Sequence, residues 1–498
     1  MLRWPRACGR AGEYNSGNND FTPLRVKLNL LVGIFLCACC SGGRAATTDP
    51  APTVNRHEVA KLIDPVFAKG MQKENIPGAV FVLVKDGDVI FAKGYGVMDV
   101  NSGRRVDPDR TIFPIASITK MFTATGIMQS VDSGRLDLDA DVNRYLTSVR
   151  VPDTYPQPIT TAHLLTHTSG LDELPGRRVK SAADVRPLHE FLANRLVRVH
   201  PPGEVTSYSS YGIALAGLLL TELSGESFEN YLSAHIWQPL GMNRTFITVP
   251  AAQTENLATA YEIEGGKPVA IPYEIYQTPP TSSVVSTAND MGKFMIAHLQ
   301  KGRFKKARIL SENAVETMQQ QHATMHPRMP GWGYGWQLGD TNGRRIIAHG
   351  GDIGGFSTQM VLLPDERMGF YVAHHIEGTN LRFTVERAIL DHYFPDRRSA
   401  GVPKPQKENA KQLRRFAGKY RANNFCHSCS DGGPNVQDFE VKAKEDGTIT
   451  VWDQAWIPVE PLYFATQDGR RHIGFKENAN GDIVALSASS WKVLERIR

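Results

Sequence analysis

The chain has 498 residues, of which 41% are hydrophobic and 21% charged. That is enough for two or three domains and too apolar for general disorder. The formal charge of +5 is modest, and no basic cluster interleaved with aromatics stands out, which argues against a nucleic-acid partner.

Residues 1–40 read as an export signal. Leu28 to Cys40 is apolar except for Asn29 and follows Arg25 and Lys27. A short apolar run after positive charge is secretory and too short to span a bilayer stably. Its end, Leu36-Cys37-Ala38-Cys39, resembles a bacterial lipobox. That implies lipidation of Cys39 and attachment to the membrane through an N-terminal lipid; the alternative is cleavage after Ala45 or Ala46 and a free protein. Residues 41–55 read as a tether.

From Arg56 a helical pattern leads to Ile76-Pro77-Gly78. A strand, an Asp-Gly turn and a second strand follow over residues 79–94. Ser117 to Ser133 has helical apolar spacing and a stop at Gly134. At its start, Ser117-Ile118-Thr119-Lys120 sets an amine one turn after a hydroxyl. Lys120 can hydrogen-bond Ser117 and take its proton, and the helix N-terminus favours a developing oxyanion. His163 and His167 have half of a zinc spacing, but Leu164 stands where H-E-x-x-H needs Glu, so packing of loops is the expected role. Strand signals return at 345–349, 357–363 and 368–374, and a helix follows over 380–393. Strands at both ends with helices between predict one α+β domain over 56–394, with an antiparallel sheet flanked by a helical region.

Residues 395–410 carry Pro395, Pro403 and Pro405 and read as a linker. Residues 411–498 hold short strand runs separated by Asp-Gly and Asn-Gly turns, the pattern of a small all-β barrel or sandwich. Cys426 and Cys429 lie there. In an oxidising compartment a local disulfide is expected. One C-x-x-C supplies only two of the four ligands of a structural zinc, so no metal or other cofactor is expected.

Three further segments join Ser117-Ile118-Thr119-Lys120 in order: His163-Leu164-Leu165-Thr166-His167-Thr168-Ser169-Gly170-Leu171, Tyr208-Ser209-Ser210, and His349-Gly350-Gly351. Pro239-Leu240-Gly241-Met242, Ser286-Thr287-Ala288-Asn289-Asp290 and Gly333-Tyr334-Gly335-Trp336 support them. With these blocks the chain resembles the serine β-lactamase-like family, which includes class C β-lactamases, D-Ala-D-Ala carboxypeptidases and related esterases. The tail from Leu413 resembles the small lipocalin-like domain often appended to such proteins.

The resemblance implies an acyl-enzyme on Ser117, with Lys120 as base and Tyr208 as proton shuttle. It puts the oxyanion between the backbone N–H groups of Ser117 and Asp352, beside Gly351. A neighbouring Lys⁺ is expected to lower the Tyr208 pKa. Two positions depart from the family pattern. Ser210 stands where Tyr-x-Asn has its amide, and His349 stands where Lys-Thr-Gly has a permanent cation for substrate carboxylate. Both tilt the expectation toward an esterase or D-amino-acid peptidase rather than an efficient β-lactamase. The expected protein is an exported serine hydrolase, periplasmic or lipid-anchored to the bacterial cell envelope, acting on a small-molecule or peptide substrate. The alternative is an inactive ligand- or partner-binding protein that keeps the fold. Oligomeric state is not legible.

Overall fold

The computed structural model describes residues 53–396, 410–430 and 436–497. The export signal, Cys39, residues 41–52 of the tether and residues 397–409 of the linker lie outside them.

Strand β1, Gly78–Lys85, reads G-A-V-F-V-L-V-K and is buried at every position but the last. Successive side chains of a strand point to opposite faces. Val80, Val82 and Val84 accordingly join one core with Met121, Phe122 and Phe294. Ala79, Phe81 and Leu83 join another with Ile63, Phe67, Val385 and Ile389. A strand that buries both faces must be central. The six-stranded sheet has the order β3-β4-β5-β6-β1-β2, where β2 is Asp88–Gly96, β3 Gln337–Thr341, β4 Arg344–Ile353, β5 Phe356–Leu363 and β6 Met368–His375. Every pairing is antiparallel, and Ala79 of β1 lies opposite His374 of β6. The N-terminal hairpin thus completes a sheet begun by the far end of the segment. Helices α1 (Arg56–Glu74) and α5 (Leu381–Tyr393) cover one face. On the other lie α2 (Thr119–Asp132), α3 (Ser210–Ser224) and α4 (Ala288–Leu299).

The expected helix from Ser117 starts later than its pattern suggests. Ala116 adopts φ +50°, left-handed for a residue with a Cβ, and residues 116–118 form a single 3₁₀ turn before α2. Ser117 therefore sits on a tight, strained corner, of the kind that costs about 1–3 kcal/mol and clusters at functional sites.

The tail is a closed eight-stranded antiparallel barrel, β7–β14: Gly418–Ala422, Asp438–Ala443, Ile449–Val451, Gln454–Glu460, Tyr463–Ala465, His472–Glu477, Ile483–Ser487 and Val493–Ile497. Lys419 opposite Ile497 closes it. Phe416, Tyr420, Trp456, Phe464 and Phe475 fill its interior. Cys426 and Cys429, in the loop after β7, are joined by a disulfide. Among the described residues no helix is long and apolar enough to cross a membrane.

Candidate active site

Lys120 is 1% exposed. Its Nζ donates to Ser117 Oγ at 3.1 Å and to the carbonyl of Thr281 at 3.0 Å, and it lies 4.9 Å from the centroid of the Tyr208 ring. Burial is the main cause that drives its pKa well below the ordinary lysine range. The Arg177 cation adds to that effect, and the Glu173 carboxylate opposes it. The amine is thus pushed toward the neutral form, the form that can accept a proton.

Tyr208 behaves differently from the sequence expectation. Its pKa is raised, not lowered: burial is the dominant cause, Ser117 partly offsets it, and the Lys120 charge is not among the leading influences. The physical reason is that both groups are dry, and in dry surroundings each resists ionisation. The Tyr208 hydroxyl is near enough to Ser117 to feel it. Yet it meets no partner at hydrogen-bonding distance and angle.

His349, on β4, is 1% exposed. Its Nδ1–H donates to the carbonyl of Gly350 at 2.7 Å, which leaves Nε2 as a buried acceptor without a partner. Burial first, then the Lys120 charge, brings its pKa down to about 3. Position 349 therefore holds no cation at neutral pH. Ser210, 3% exposed, opens α3, and its N–H donates to Glu173 Oε2 at 2.8 Å. Its hydroxyl is not a partner of Lys120, whose bonds go to Ser117 and Thr281.

Gly351 is required by close approach. A Cβ there would lie 2.6 Å from the Ser117 nitrogen and 2.8 Å from the Ala116 Cβ, so only glycine lets β4 run against the Ser117 corner. Asp352 anchors the same strand end. It pairs with the buried Arg382 at 2.5 Å and accepts from Ser357 Oγ at 2.6 Å. Arg382 also donates to the carbonyl of Gly351 at 2.8 Å.

Sequence reasoning missed Glu173, Arg177 and Trp491 near this centre, whereas His167 was expected to pack loops there. Glu173 and Arg177 pair at 3.1 Å, one helical turn apart in number but on a loop, with no motif to mark them. His167 takes the left-handed φ of +56°. Its Nδ1 accepts from the Ser209 N–H at 3.1 Å, and its ring lies 4.4 Å from those of Tyr208 and Trp332. The barrel supplies Trp491, from the hairpin between β13 and β14. It is 49% exposed, and its edge meets the Tyr208 ring at 4.3 Å. Its neighbour Ser490 accepts from Trp332 Nε1 at 2.7 Å. A cavity of about 1310 Å³ follows the seam between barrel and sheet domain and is not lined by Ser117, Lys120 or Tyr208.

The loop that delivers Tyr208 is braced by the barrel. Ser207 Oγ donates to the Asn423 carbonyl at 2.6 Å, the Asn423 amide donates to the Thr206 carbonyl, and Lys476 donates to the Glu204 carbonyl. Asn423 is 4% exposed. Replacing it with alanine leaves the Thr206 carbonyl buried without that donor and should destabilise the protein by about 1–3 kcal/mol. Urea denaturation of wild type and Asn423→Ala checks this; equal midpoints would remove the brace from the account.

The Beta-lactamase family model matches residues 63–393. Protein flp of Staphylococcus aureus strain MRSA252 is 27% identical over 348 residues, which cover 66% of this chain and 66% of that protein; the chain thus spans just under two thirds of that relative's length. Penicillin-binding protein 4 of Amycolatopsis lactamdurans is 30% identical over 314 residues, covering 59% of this chain and 79% of that protein. Among solved structures, the octameric penicillin-binding protein homologue from Pyrococcus abyssi aligns with 88% of this chain and 100% of its own, at a TM-score of 0.59 and 23% identity. SurE aligns with 89% of this chain and 99% of its own, at a TM-score of 0.62 and 21% identity. Those identities speak to fold alone, and coverage that wide takes in the barrel as well as the sheet domain. With the match across residues 63–393, the chain belongs to the beta-lactamase family, extended by a C-terminal barrel.

Proposed function

We propose that the protein is a serine hydrolase that forms an acyl-enzyme on Ser117. The observation that carries this reading is the 3.1 Å contact between Ser117 Oγ and the buried Lys120 amine. In it the neutral amine takes the hydroxyl proton as the oxygen attacks a carbonyl. The tetrahedral oxyanion lies between the N–H groups of Ser117 and Asp352. Strand register supports the second donor. Ile353 and Phe356 close a two-residue hairpin, and Asp352 opposite Ser357 is the next pair. Hydrogen-bonded and non-bonded pairs alternate, so the Asp352 N–H faces away from β5. The neighbouring β3 pairs with β4 only as far as Ala348, so this edge is open toward Ser117. Tyr208, as a neutral phenol, relays the proton from the ammonium to the leaving group, and the same pair then activates the water that frees the enzyme.

The neutral His349 gives a substrate carboxylate no cation at that position. This favours carboxylic esters, or amides of D-amino acids, over efficient hydrolysis of β-lactams. Export to the cell envelope, with or without a lipid on Cys39, belongs to the same proposal and rests on the Leu28–Cys40 run.

A fluorophosphonate probe should label the wild type and fail to label Ser117→Ala, with loss of nitrophenyl butyrate turnover. Labelling of the alanine variant at the wild-type level would exclude Ser117 as the nucleophile. A panel of nitrophenyl butyrate, a D-Ala-D-Ala peptide and nitrocefin then orders the substrate classes, with nitrocefin expected to be the poorest.

A further inference from the structure

Away from the catalytic centre, two histidines and a glutamate from three distant segments converge where the barrel meets the sheet domain. His200 comes from the loop that goes on to Tyr208, His427 lies within the Cys426–Cys429 disulfide loop, and Glu495 is on β14. One ligand atom from each lies within 4.8 Å of the others. His200 Nε2 lies 2.9 Å from Glu495 Oε1, His427 Nε2 lies 2.8 Å from Glu495 Oε2, and the two Nε2 atoms are 3.2 Å apart.

Protons satisfy the carboxylate but leave the two nitrogens crowded. An ionised carboxylate only accepts, so each Nε2 must donate to it. Neither nitrogen then has a lone pair left for the other, and two N–H groups face each other across 3.2 Å. A cation removes the conflict, because both lone pairs and the carboxylate can point at one centre. The 3.2 Å between the two nitrogens agrees with this: ligands about 2.0–2.1 Å from a tetrahedral ion lie about 3.3 Å from one another.

The surroundings fit the same use. Asp172 Oδ1 accepts the His427 backbone N–H at 2.8 Å and lies 3.5 Å from its Nδ1. The second distance is ionic, without hydrogen-bond alignment. A carboxylate behind the far nitrogen keeps the proton on Nδ1 and presents the Nε2 lone pair to a metal. Phe425 stacks on the ring at 3.9 Å and fixes its plane. The three side chains are half-buried. The disulfide takes both thiols out of contention.

We propose that His200, His427 and Glu495 form a divalent-cation site, with zinc as the best chemical match for two imidazoles and one carboxylate, that pins the barrel to the loop carrying Tyr208. The site takes no part in the acyl-enzyme chemistry and stands whether or not that chemistry holds.

The test is zinc binding by the full chain in buffer without reductant, so that the disulfide stays closed. Titration against a chromogenic chelator should show one equivalent of Zn²⁺, with Co²⁺ giving the visible absorption of a tetrahedral site and Zn²⁺ raising the melting temperature. Glu495→Gln and His427→Ala should each weaken binding at least about tenfold, and Asp172→Asn, outside the ligand set, about 10–100-fold. His200→Asn serves as the fold control: without metal it should melt near the metal-free wild type, yet bind no Zn²⁺ at the wild-type affinity. Absence of stoichiometric binding by the wild type, or undiminished binding by His200→Asn and Glu495→Gln, would overturn the site.

Discussion

Lys120→Met should lower kcat/KM for nitrophenyl butyrate by about 10²–10⁴-fold, the usual contribution of a positioned general base, while leaving the fold nearly as stable as before. The two halves of this prediction have one cause. Lys120 is buried and its amine is pushed toward neutrality chiefly by desolvation. A lysine with the ordinary pKa of about 10.4 would be neutral in only about one molecule in 2,500 at about pH 7; the shift makes the base available. The same desolvation is an energetic cost in the folded state, and an unbranched apolar side chain of similar length escapes it. Against that gain, methionine loses the bonds to the Ser117 hydroxyl and the Thr281 carbonyl, each worth about 1 kcal/mol. The net change should lie within about 1–2 kcal/mol. The wild-type pH profile gives a second reading. Activity should fall on the acid side as Lys120 becomes protonated, with its midpoint far below that of a free lysine. A profile that rises only near the ordinary lysine pKa, or a methionine variant with wild-type turnover, would assign proton transfer to another group.

Much of the frame was readable from residue order. The apolar run of β1 and the Asp-Gly turn after it mark a hairpin, and β4, β5 and β6 appear where their apolar runs predict. The pairing of Ser117 with Lys120 was equally legible, because one helical turn fixes their separation. What escaped reading is what long-range contact decides. The left-handed Ala116 turns the expected helix start into a 3₁₀ corner, and nothing in its side chain announces this. The direction of the Tyr208 shift was misjudged because sequence supplies a neighbouring charge but not the dryness that outweighs it. Glu173, Arg177 and Trp491 reach the centre from loops and from the barrel, without motif or period.

Acidification should unfold this protein between about pH 6 and pH 4, as its buried histidines are forced to take up protons. Burial, the leading cause in each case, lowers His298, His349 and His375 to about 3 and His374 to about 4. The sign follows from linkage. A histidine depressed in the folded state and near 6.5 when unfolded contributes stability that is complete above 6.5 and is lost as pH falls toward the folded value. At about pH 5 each of these groups has given up about 2 kcal/mol, and together about 8 kcal/mol, comparable with the whole stability of an ordinary domain. Without metal, His427 works in the opposite direction. Burial alone would lower it, but Asp172 and Glu495 outweigh burial and raise it to about 9, so its contribution is present below 6.5 and offsets one of the four. The decisive variant is His375→Phe. Its ring lies 5.3–5.5 Å from those of Tyr261, Phe113 and Phe356, a setting that accepts an aromatic hydrocarbon. Nδ1 bonds the Gly78 carbonyl at 3.1 Å; His374 lowers the group further, while Asp99 and the Met98 backbone raise it. At about pH 7.5 the variant should be less stable by about 1 kcal/mol through the lost hydrogen bond. At about pH 5 it escapes a penalty of about 2 kcal/mol and should melt at or above the wild type. Thermal melts of both proteins at the two pH values, with chelator present, measure the crossing; parallel shifts would mean that His375 is not part of the acid response.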